Sequence, residues 1–396
     1  MSTRLPGRCI PALILALLWG SSLPAAPLPD EETLRQQALK LNDVRGDDLI
    51  DREIDALRKQ PDYAKKLLAV AVKMAKEKDQ PFNYTGAYIL GAVARELQDA
   101  DAGALFFRIC IEKAEKLQSS RRLTLASISL MELLFENGKY KEAEQVGKEF
   151  LAREGNEELR AGQILATLRM VQIVALQGRT DEAFKLLDPF LKTAPDHPEI
   201  LKVHGWLLRH AGKYDEAVKT YEELLKKAEQ DETKDAVRYV LSGLYIELGN
   251  VDKAADQLQV LLKRHPDNAT FNNDLGYIWA DHDKNLDEAE KLIRKALDKE
   301  PTNPAFLDSM GWVLFKKKRY KEAKEYLLKA VADPAGQHAE ILDHLGDVHM
   351  ALGEKAEALA AWKKALDAAG KTPREQKRKA EIEKKLKAAG QSGPTP

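Results

Sequence analysis

The side chains best suited by type and spacing to chemistry form one short cluster near the C-terminus. Asp343, His344, Asp347 and His349 follow one another closely, and carboxylate and imidazole groups are the usual metal ligands and proton carriers. In a helix, Asp343 and Asp347 share one face, whereas the two histidines point elsewhere around the 3.6-residue turn. Because the four groups do not converge on one ion without help from a neighbouring segment, we interpret them as ordinary helix-surface and interface residues.

Other catalytic patterns are missing from the sequence. It contains no glycine-rich phosphate loop, no nucleophile in a recognisable frame and no paired-cysteine metal spacing. Cys110 lies in an apolar helical stretch, Phe106–Cys110, and is interpreted as a core residue. The formal net charge of −1 argues against a strongly basic nucleic-acid-binding protein. We therefore expect no enzyme activity, no cofactor and no metal, and no nucleic acid as partner.

The secondary structure of the chain is predicted from a repeat in its sequence. Small residues recur at intervals of 34, 35 and 35, at Ser242, Gly276, Gly311 and Gly346. About 12 residues after each comes an alanine, at Ala254, Ala289, Ala323 and Ala358. Four residues further on stands a large apolar residue, at Leu258, Ile293, Leu327 and Trp362. A period near 34 with this small/large pattern indicates stacked pairs of helices.

Each part of the pattern has a physical role. The glycine allows the first helix of a pair, helix A, to approach the second, helix B, and the alanine lies opposite it. The large residue fills the space toward the next pair, and Trp279 also holds a core position. Gly–Lys/Asn–Tyr/Val between the helices, as in Gly212–Tyr214, closes the turn and caps helix A. Several pairs end in proline, which stops helix B.

These residues closely resemble tetratricopeptide repeats, over about three quarters of the chain. The run from Leu275 to Trp362 is similar to a run in exported bacterial repeat proteins. The resemblance implies an all-α, right-handed superhelical solenoid of about eight helix–turn–helix units with a C-terminal capping helix. It also implies a non-catalytic adaptor of the cell envelope, because that group shares no catalytic motif.

The same pattern divides the chain into segments. We predict a signal peptide at 1–26, an N-terminal helical segment at 27–81, degenerate repeat units at 82–195 and regular units at 196–370. A capping helix and a disordered tail complete the chain at 371–396.

The first residues have the layout of a secretory signal. Arg4 and Arg8 precede the apolar run Ile10–Trp19, and small residues follow. We predict cleavage near Ala25 or Ala26 and export to the periplasm or beyond the cell. The apolar run is far shorter than the roughly 20 residues that a bilayer span needs; a retained N-terminal anchor is the alternative.

The concave side of the predicted solenoid is lined by the A helices, and we expect function there. Asp281 and Lys316 would lie at one rim of this groove. The predicted partner-binding residues alternate aromatic and polar groups: Trp206, Tyr239, Asn273, Tyr277, Asp308, Trp312, Asp343 and Asp347. Such a lining suits a peptide segment of another protein with basic and apolar side chains. The alternative for the aromatic residues is that they pack between adjacent A helices.

The family's best-defined binding mode, a clamp on a C-terminal carboxylate, is not matched. Lys202 could belong to such a clamp, but Trp206 stands where an asparagine would be expected.

The predicted capping helix carries excess positive charge, with ten Lys or Arg against four Asp or Glu between Lys363 and Lys387. We interpret it as a solvated cap, or alternatively as a peripheral contact with an anionic envelope surface. For the whole chain, the leading hypothesis is a protein-binding scaffold. Two rivals are an assembly factor that binds envelope polysaccharide or peptidoglycan, and a cryptic enzyme.

Overall fold

A computed structural model describes residues 29–370 and 373–391 of the 396-residue chain. The predicted signal peptide and the tail beyond residue 391 lie outside the described residues. All regular structure in the described part is helical, so the all-α prediction is confirmed. The chain divides into two compact units, Met1–Thr167 and Leu168–Pro396, which we term the N-terminal unit and the C-terminal unit.

The N-terminal unit begins with three helices that precede the repeats. Its helices are α1 (Glu31–Lys40), α2 (Asp47–Arg58), α3 (Pro61–Ala75), α4 (Tyr84–Glu96), α5 (Ala100–Lys116), α6 (Ser120–Glu136) and α7 (Tyr140–Leu151). A 3-10 turn at Leu41–Asp43 follows α1, and helix α8 (Glu157–Leu176) runs across the boundary between the units. By length and composition alone α8 could cross a membrane, but half of it is buried in the fold.

The C-terminal unit holds the regular repeats. Its helices are α9 (Thr180–Thr193), α10 (Pro198–His210), α11 (Tyr214–Lys227), α12 (Asp231–Glu247), α13 (Val251–Arg264), α14 (Ala269–Asp281), α15 (Leu286–Lys299), α16 (Pro304–Lys316), α17 (Tyr320–Ala332), α18 (Ala339–Ala351), α19 (Lys355–Ala368) and α20 (Pro373–Gln391). From α4 to α19 the helices alternate as A and B of eight successive pairs, in agreement with the predicted repeat count. Helix α20 follows the last pair.

The small residues are the points where helices A and B approach each other. A Cβ atom on Gly276 would lie 2.6 Å from Cγ1 of Ile293 and 2.9 Å from the carbonyl oxygen of Ala289. On Gly311 it would lie 2.6 Å from the Leu327 side chain. No side chain larger than hydrogen fits at these positions without moving the helices apart, which confirms the predicted role of the glycines.

The turn between helices A and B uses a left-handed residue. Gly212 has φ +73°, its N–H donates to the Arg209 carbonyl, and the next N–H donates to the carbonyl of Leu208. These two bonds form a Schellman motif, which satisfies the last carbonyls of helix A. Lys318 takes the same place after α16 with φ +62°, although it carries a Cβ that disfavours this conformation.

The apolar core lies between the helices of each pair and of adjacent pairs. Trp279 and Cys110 are 8% and 0% exposed, so both predicted core residues are confirmed. Burial raises the pKa of the Cys110 thiol, which keeps it protonated and unreactive.

Candidate interaction surface on the A helices

The predicted partner-binding residues lie on successive A helices of the C-terminal unit. We term the surface that their side chains form on α10, α12, α14, α16 and α18 the A-helix face. The helices differ in what covers these side chains, and the A-helix face accordingly has an open end, a packed middle and an occupied acidic end.

The open end comprises Trp206 on α10 and Tyr239 on α12. The Trp206 ring stacks on His210 at 5.2 Å between ring centroids and lines a cleft of about 250 Å³ with Glu247. Tyr239 is 40% exposed, and its hydroxyl donates to Asp274 Oδ2 at 2.8 Å. Burial and the Asp274 carboxylate raise the pKa of Tyr239 to about 12. Tyr239 is exposed, and Trp206 is half-buried at the edge of an open cleft, so a partner segment can reach both rings.

The packed middle is centred on Trp312 of α16. Its ring stacks on His344 of α18 at 4.0 Å and on Phe315 at 5.0 Å, and its Nε1 donates to Asp281 Oδ1 at 3.0 Å. Only 8% of the residue is exposed. Trp312 therefore packs between adjacent A helices, which is the alternative that the sequence left open.

His344, which stacks on Trp312, also forms a buried ion pair. His344 Nδ1 is 2.8 Å from Asp308 Oδ1, with side-chain exposures of 3% and 7%. Burial disfavours the imidazolium, but the carboxylates of Asp308 and Glu340 together outweigh it and raise the pKa of His344 above its ordinary value. The pair joins α16 to α18 across a spacing of 36 residues.

Tyr277 and Asn273 of α14 complete the packed middle. The Tyr277 hydroxyl donates to Glu340 Oε1 of α18 at 2.6 Å, past the intervening helix α16. Burial, followed by the Glu340 carboxylate, raises the pKa of Tyr277 well above its usual range. Asn273 is 6% exposed, its Nδ2 donates to Asp274 Oδ1 at 3.3 Å, and its Oδ1 has no hydrogen-bond partner.

The acidic end is occupied by α20. Lys385 Nζ lies 2.7 Å from Asp343 Oδ1 and 2.7 Å from Asp347 Oδ2. Arg378 lies 2.5 Å from Glu340 Oε1 and 3.4 Å from Asp343 Oδ2. Burial, above all, raises the pKa of Asp347, and Lys385 opposes that shift.

Between these basic residues α20 inserts an apolar contact. Ile382 is fully buried against Leu342 and Trp362, and Leu386 packs beside it. Trp362 Nε1 donates to Asp347 Oδ1 at 3.2 Å, so the last B helix also holds the acidic end in place.

The structure thus corrects the expected open lining. Asn273, Asp308, Trp312 and Asp343 are buried, with exposures of 6%, 5%, 8% and 3%. Asp308 and Trp312 contact His344 of the neighbouring A helix, whereas Asp343 is covered by Arg378 and Lys385 of α20. Whether the eight predicted residues contact a partner stays a prediction.

Sequence reasoning also missed Glu340, Arg378 and Lys385. Arg378 follows Asp343 by 35 residues, so extending the repeat period through the capping helix would have found it.

The aspartate and histidine cluster is divided among separate partners. His344 faces Asp308, His349 Nδ1 lies 2.5 Å from Glu354 Oε2, and both aspartates face Lys385. Within residues 29–370 and 373–391, no group of three or more His, Cys, Asp or Glu side chains is arranged to hold a metal ion.

Comparison with protein families identifies the repeats. Models described as tetratricopeptide repeat match residues 175–233, 208–273 and 309–373. No curated protein matches the chain.

Among solved structures, a tetratricopeptide repeat protein from Parabacteroides merdae is 18% identical with a TM-score of 0.52, over 66% of this chain and 98% of that chain. A thermophilic tetratricopeptide repeat protein from Thermus thermophilus is 24% identical with a TM-score of 0.39, over 47% of this chain and 98% of that chain. The P. merdae structure agrees with the helix-pair fold.

Proposed function

We propose that this tetratricopeptide repeat protein is a non-catalytic scaffold of the cell envelope that holds a segment of a partner protein on the A-helix face. Tetratricopeptide repeats mediate protein–protein interaction, and the family matches indicate no enzymatic family. The remaining parts of the proposal are the chemistry of the bound segment and the place where it is bound.

The observation that supports the proposal most strongly is that α20 packs against the acidic end. Arg378 and Lys385 contact three carboxylates there, and Ile382 fills the apolar contact between them. A surface that accepts these side chains from its own chain is suited to a partner segment with the same basic and apolar groups. The open aromatic residues Trp206 and Tyr239 would extend the contact toward α10.

Export is proposed from the sequence of residues 1–26. Basic residues followed by a short apolar run and small residues have the layout of a cleaved signal. The test is N-terminal sequencing of the chain recovered from its native cells, which should show a cut near Ala25 or Ala26. A mature protein that begins at Met1 would contradict cleavage.

The binding site is tested with accessible residues, because Asp308 and Trp312 are buried and their substitution would disturb the fold. The double variant Trp206→Ala/Tyr239→Ala should recover the partner from an envelope extract at a yield at least tenfold below wild type. Leu328→Ala is the matched control, since Leu328 is 44% exposed but lies on the B helix α17. Equal recovery by all three proteins would overturn the placement on the A-helix face.

A polysaccharide or peptidoglycan strand is the second candidate ligand, favoured by the accessible Trp206 ring beside Glu247. The two candidates respond differently to salt. Capture of a basic peptide should weaken between about 0.05 and 0.5 M salt because added ions screen the charges, whereas binding of a neutral sugar should persist.

A further inference from the structure

We propose that α20 is a displaceable occupant of the acidic end, and that a basic amphipathic helix of the partner protein replaces it there. The inference rests on the proposed function, because it assigns both the partner's chemistry and the regulation of the same surface. In this arrangement α20 competes with the partner, and the free scaffold is closed at α18.

The contacts that hold helix α20 include four ion-pair contacts and a small apolar contact. Along its 19 residues, the described side chains that are buried are Ile382 and Ala389. Helix α18, by contrast, buries nine of its residues. An element with little buried apolar surface and several ion pairs opens more readily than the repeats beneath it.

The acidic end requires a cation in either state. Asp343 and Asp347 stand four residues apart on one helix face, so their charges repel each other, and Lys385 lies between them at 2.7 Å from each. Removing α20 without a replacement takes both Arg378 and Lys385 away, and Asp343 and Asp347 then lose these cationic partners. Exchange for another cationic helix is therefore favoured over simple release of α20.

The space at the acidic end extends beyond the part that α20 fills. A cleft of about 290 Å³ lies between α16, α18 and α20, and Asp308, Glu340 and Glu375 are among its lining residues. Glu375 and Arg378 of α20 also line the cleft and leave with that helix, so the carboxylates that remain for an incoming cationic side chain are Glu340 of α18 and Asp308 of α16.

The spacing within α20 defines the partner. Counting from Arg378, apolar residues follow at four, eight and eleven positions (Ile382, Leu386 and Ala389), and the second basic residue, Lys385, follows at seven. These positions fall on one helical face. The expected partner helix has Arg or Lys two turns apart with a branched apolar residue between them.

The experiment measures binding of a fluorescein-labelled peptide of residues 373–391 to the full-length protein by fluorescence anisotropy. The variant Arg378→Ala/Lys385→Ala frees the site and should bind the peptide at least tenfold more tightly than wild type. The matched control is Lys377→Ala/Lys384→Ala, which removes two exposed lysines one position earlier and should bind as wild type does. A peptide carrying Arg378→Glu and Lys385→Glu should not bind the freed site.

Each other outcome overturns the proposal. Equal affinity of the freed variant and wild type would show that α20 does not compete, and binding of the charge-reversed peptide would show that the carboxylates do not select the helix. A wild-type dimer in sedimentation that the Arg378→Ala/Lys385→Ala change abolishes would assign the site to a second copy of this chain. Circular dichroism melting of each variant confirms that it is folded.

A failure of the proposed function can be distinguished from a failure of this inference. Tight peptide binding combined with unchanged partner capture by Trp206→Ala/Tyr239→Ala would retain the acidic end as a helix site while rejecting the extended A-helix face.

Discussion

The A helices of the two units contact their neighbours in different ways. In the N-terminal unit, an open cleft of about 470 Å³ lies between α2, α4 and α6, and Tyr84 and Arg122 line it. The Arg95–Glu136 ion pair joins α4 to α6, and its side chains are 38% and 45% exposed. In the C-terminal unit, the His344–Asp308 pair that joins α16 to α18 is 3% and 7% exposed.

The difference shows that neighbouring A helices of this repeat are joined by ion pairs whose loss lowers the free energy of unfolding by very different amounts. Exposed ion pairs contribute about 0–1 kcal/mol, so the N-terminal unit does not depend on them. A buried pair that loses one partner costs about 3–5 kcal/mol. The packed middle of the A-helix face is therefore a structural element, and binding is left to its two ends.

The largest effect should come from removing one member of the buried pair. Asp308→Ala leaves His344 without its counter-charge and should lower the free energy of unfolding by about 3–5 kcal/mol. Glu136→Ala is the matched change in the N-terminal unit and should cost below about 1 kcal/mol. Urea unfolding of both variants measures the difference, and similar losses would remove the contrast between the units.

A smaller loss should follow from filling a glycine between helices A and B. Gly276→Val meets both the Ile293 side chain and the Ala289 carbonyl, and overpacking of this kind costs about 1–3 kcal/mol. For Gly91→Val in the N-terminal unit the nearest atoms belong to the Phe107 ring, at 2.9 Å or more, and the loss should fall at the lower end of that range.

The control for the glycine pair is Gly243→Ala. Only Arg209 Nη2 comes near a Cβ on Gly243, at 3.9 Å, so helix propensity should raise stability by up to about 1 kcal/mol. A gain of stability for Gly276→Val would contradict the close helix approach.

The response to pH should also separate the units, because all eight histidines follow residue 196 and therefore lie in the C-terminal unit. The folded pKa of His344 is raised. Its stabilising contribution is thus fully present below the unfolded pKa near 6.5 and is lost as pH rises through the higher folded value, by about 1.4 kcal/mol per unit of pKa difference.

Melting of wild type and His344→Gln between about pH 5.5 and 9 isolates this contribution. The stability advantage of wild type should shrink as pH rises. An advantage that grows with pH would mean that His344 is neutral in the fold. The variant comparison is needed because burial lowers the pKa of His204, which acts in the opposite direction.

The smallest change in stability should come from glycine substitutions in the turns between helices, and it should be similar in both units. Lys318→Gly after α16 should gain about 1 kcal/mol, because glycine adopts the left-handed conformation without a Cβ penalty. Gln118 has φ +50° in the N-terminal unit, and Gln118→Gly should gain a similar amount in thermal melts. A loss in either variant would show that the turn is not left-handed in solution.

How far the sequence predicts the structure depends on the range of the contact. The glycine at 276, the alanine at 289 and the core positions of Trp279 and Cys110 were predictable, because helical periodicity fixes which residues share a face within one pair. The His344–Asp308 and Tyr277–Glu340 contacts join residues 36 and 63 positions apart. They depend on the angle between successive pairs, which the pattern of small and large residues does not specify.

Native-state hydrogen exchange of the full chain shows whether a removable helix covers the acidic end of the A-helix face. We predict that the amides of α20 exchange through an opening well below the free energy of global unfolding, and faster as salt screens the ion pairs of Arg378 and Lys385. Amides of α18 and α19 should remain protected under the same conditions. If α20 exchanges only together with α18 and α19, at the free energy of global unfolding, then α20 is a fixed part of the fold and not a displaceable occupant.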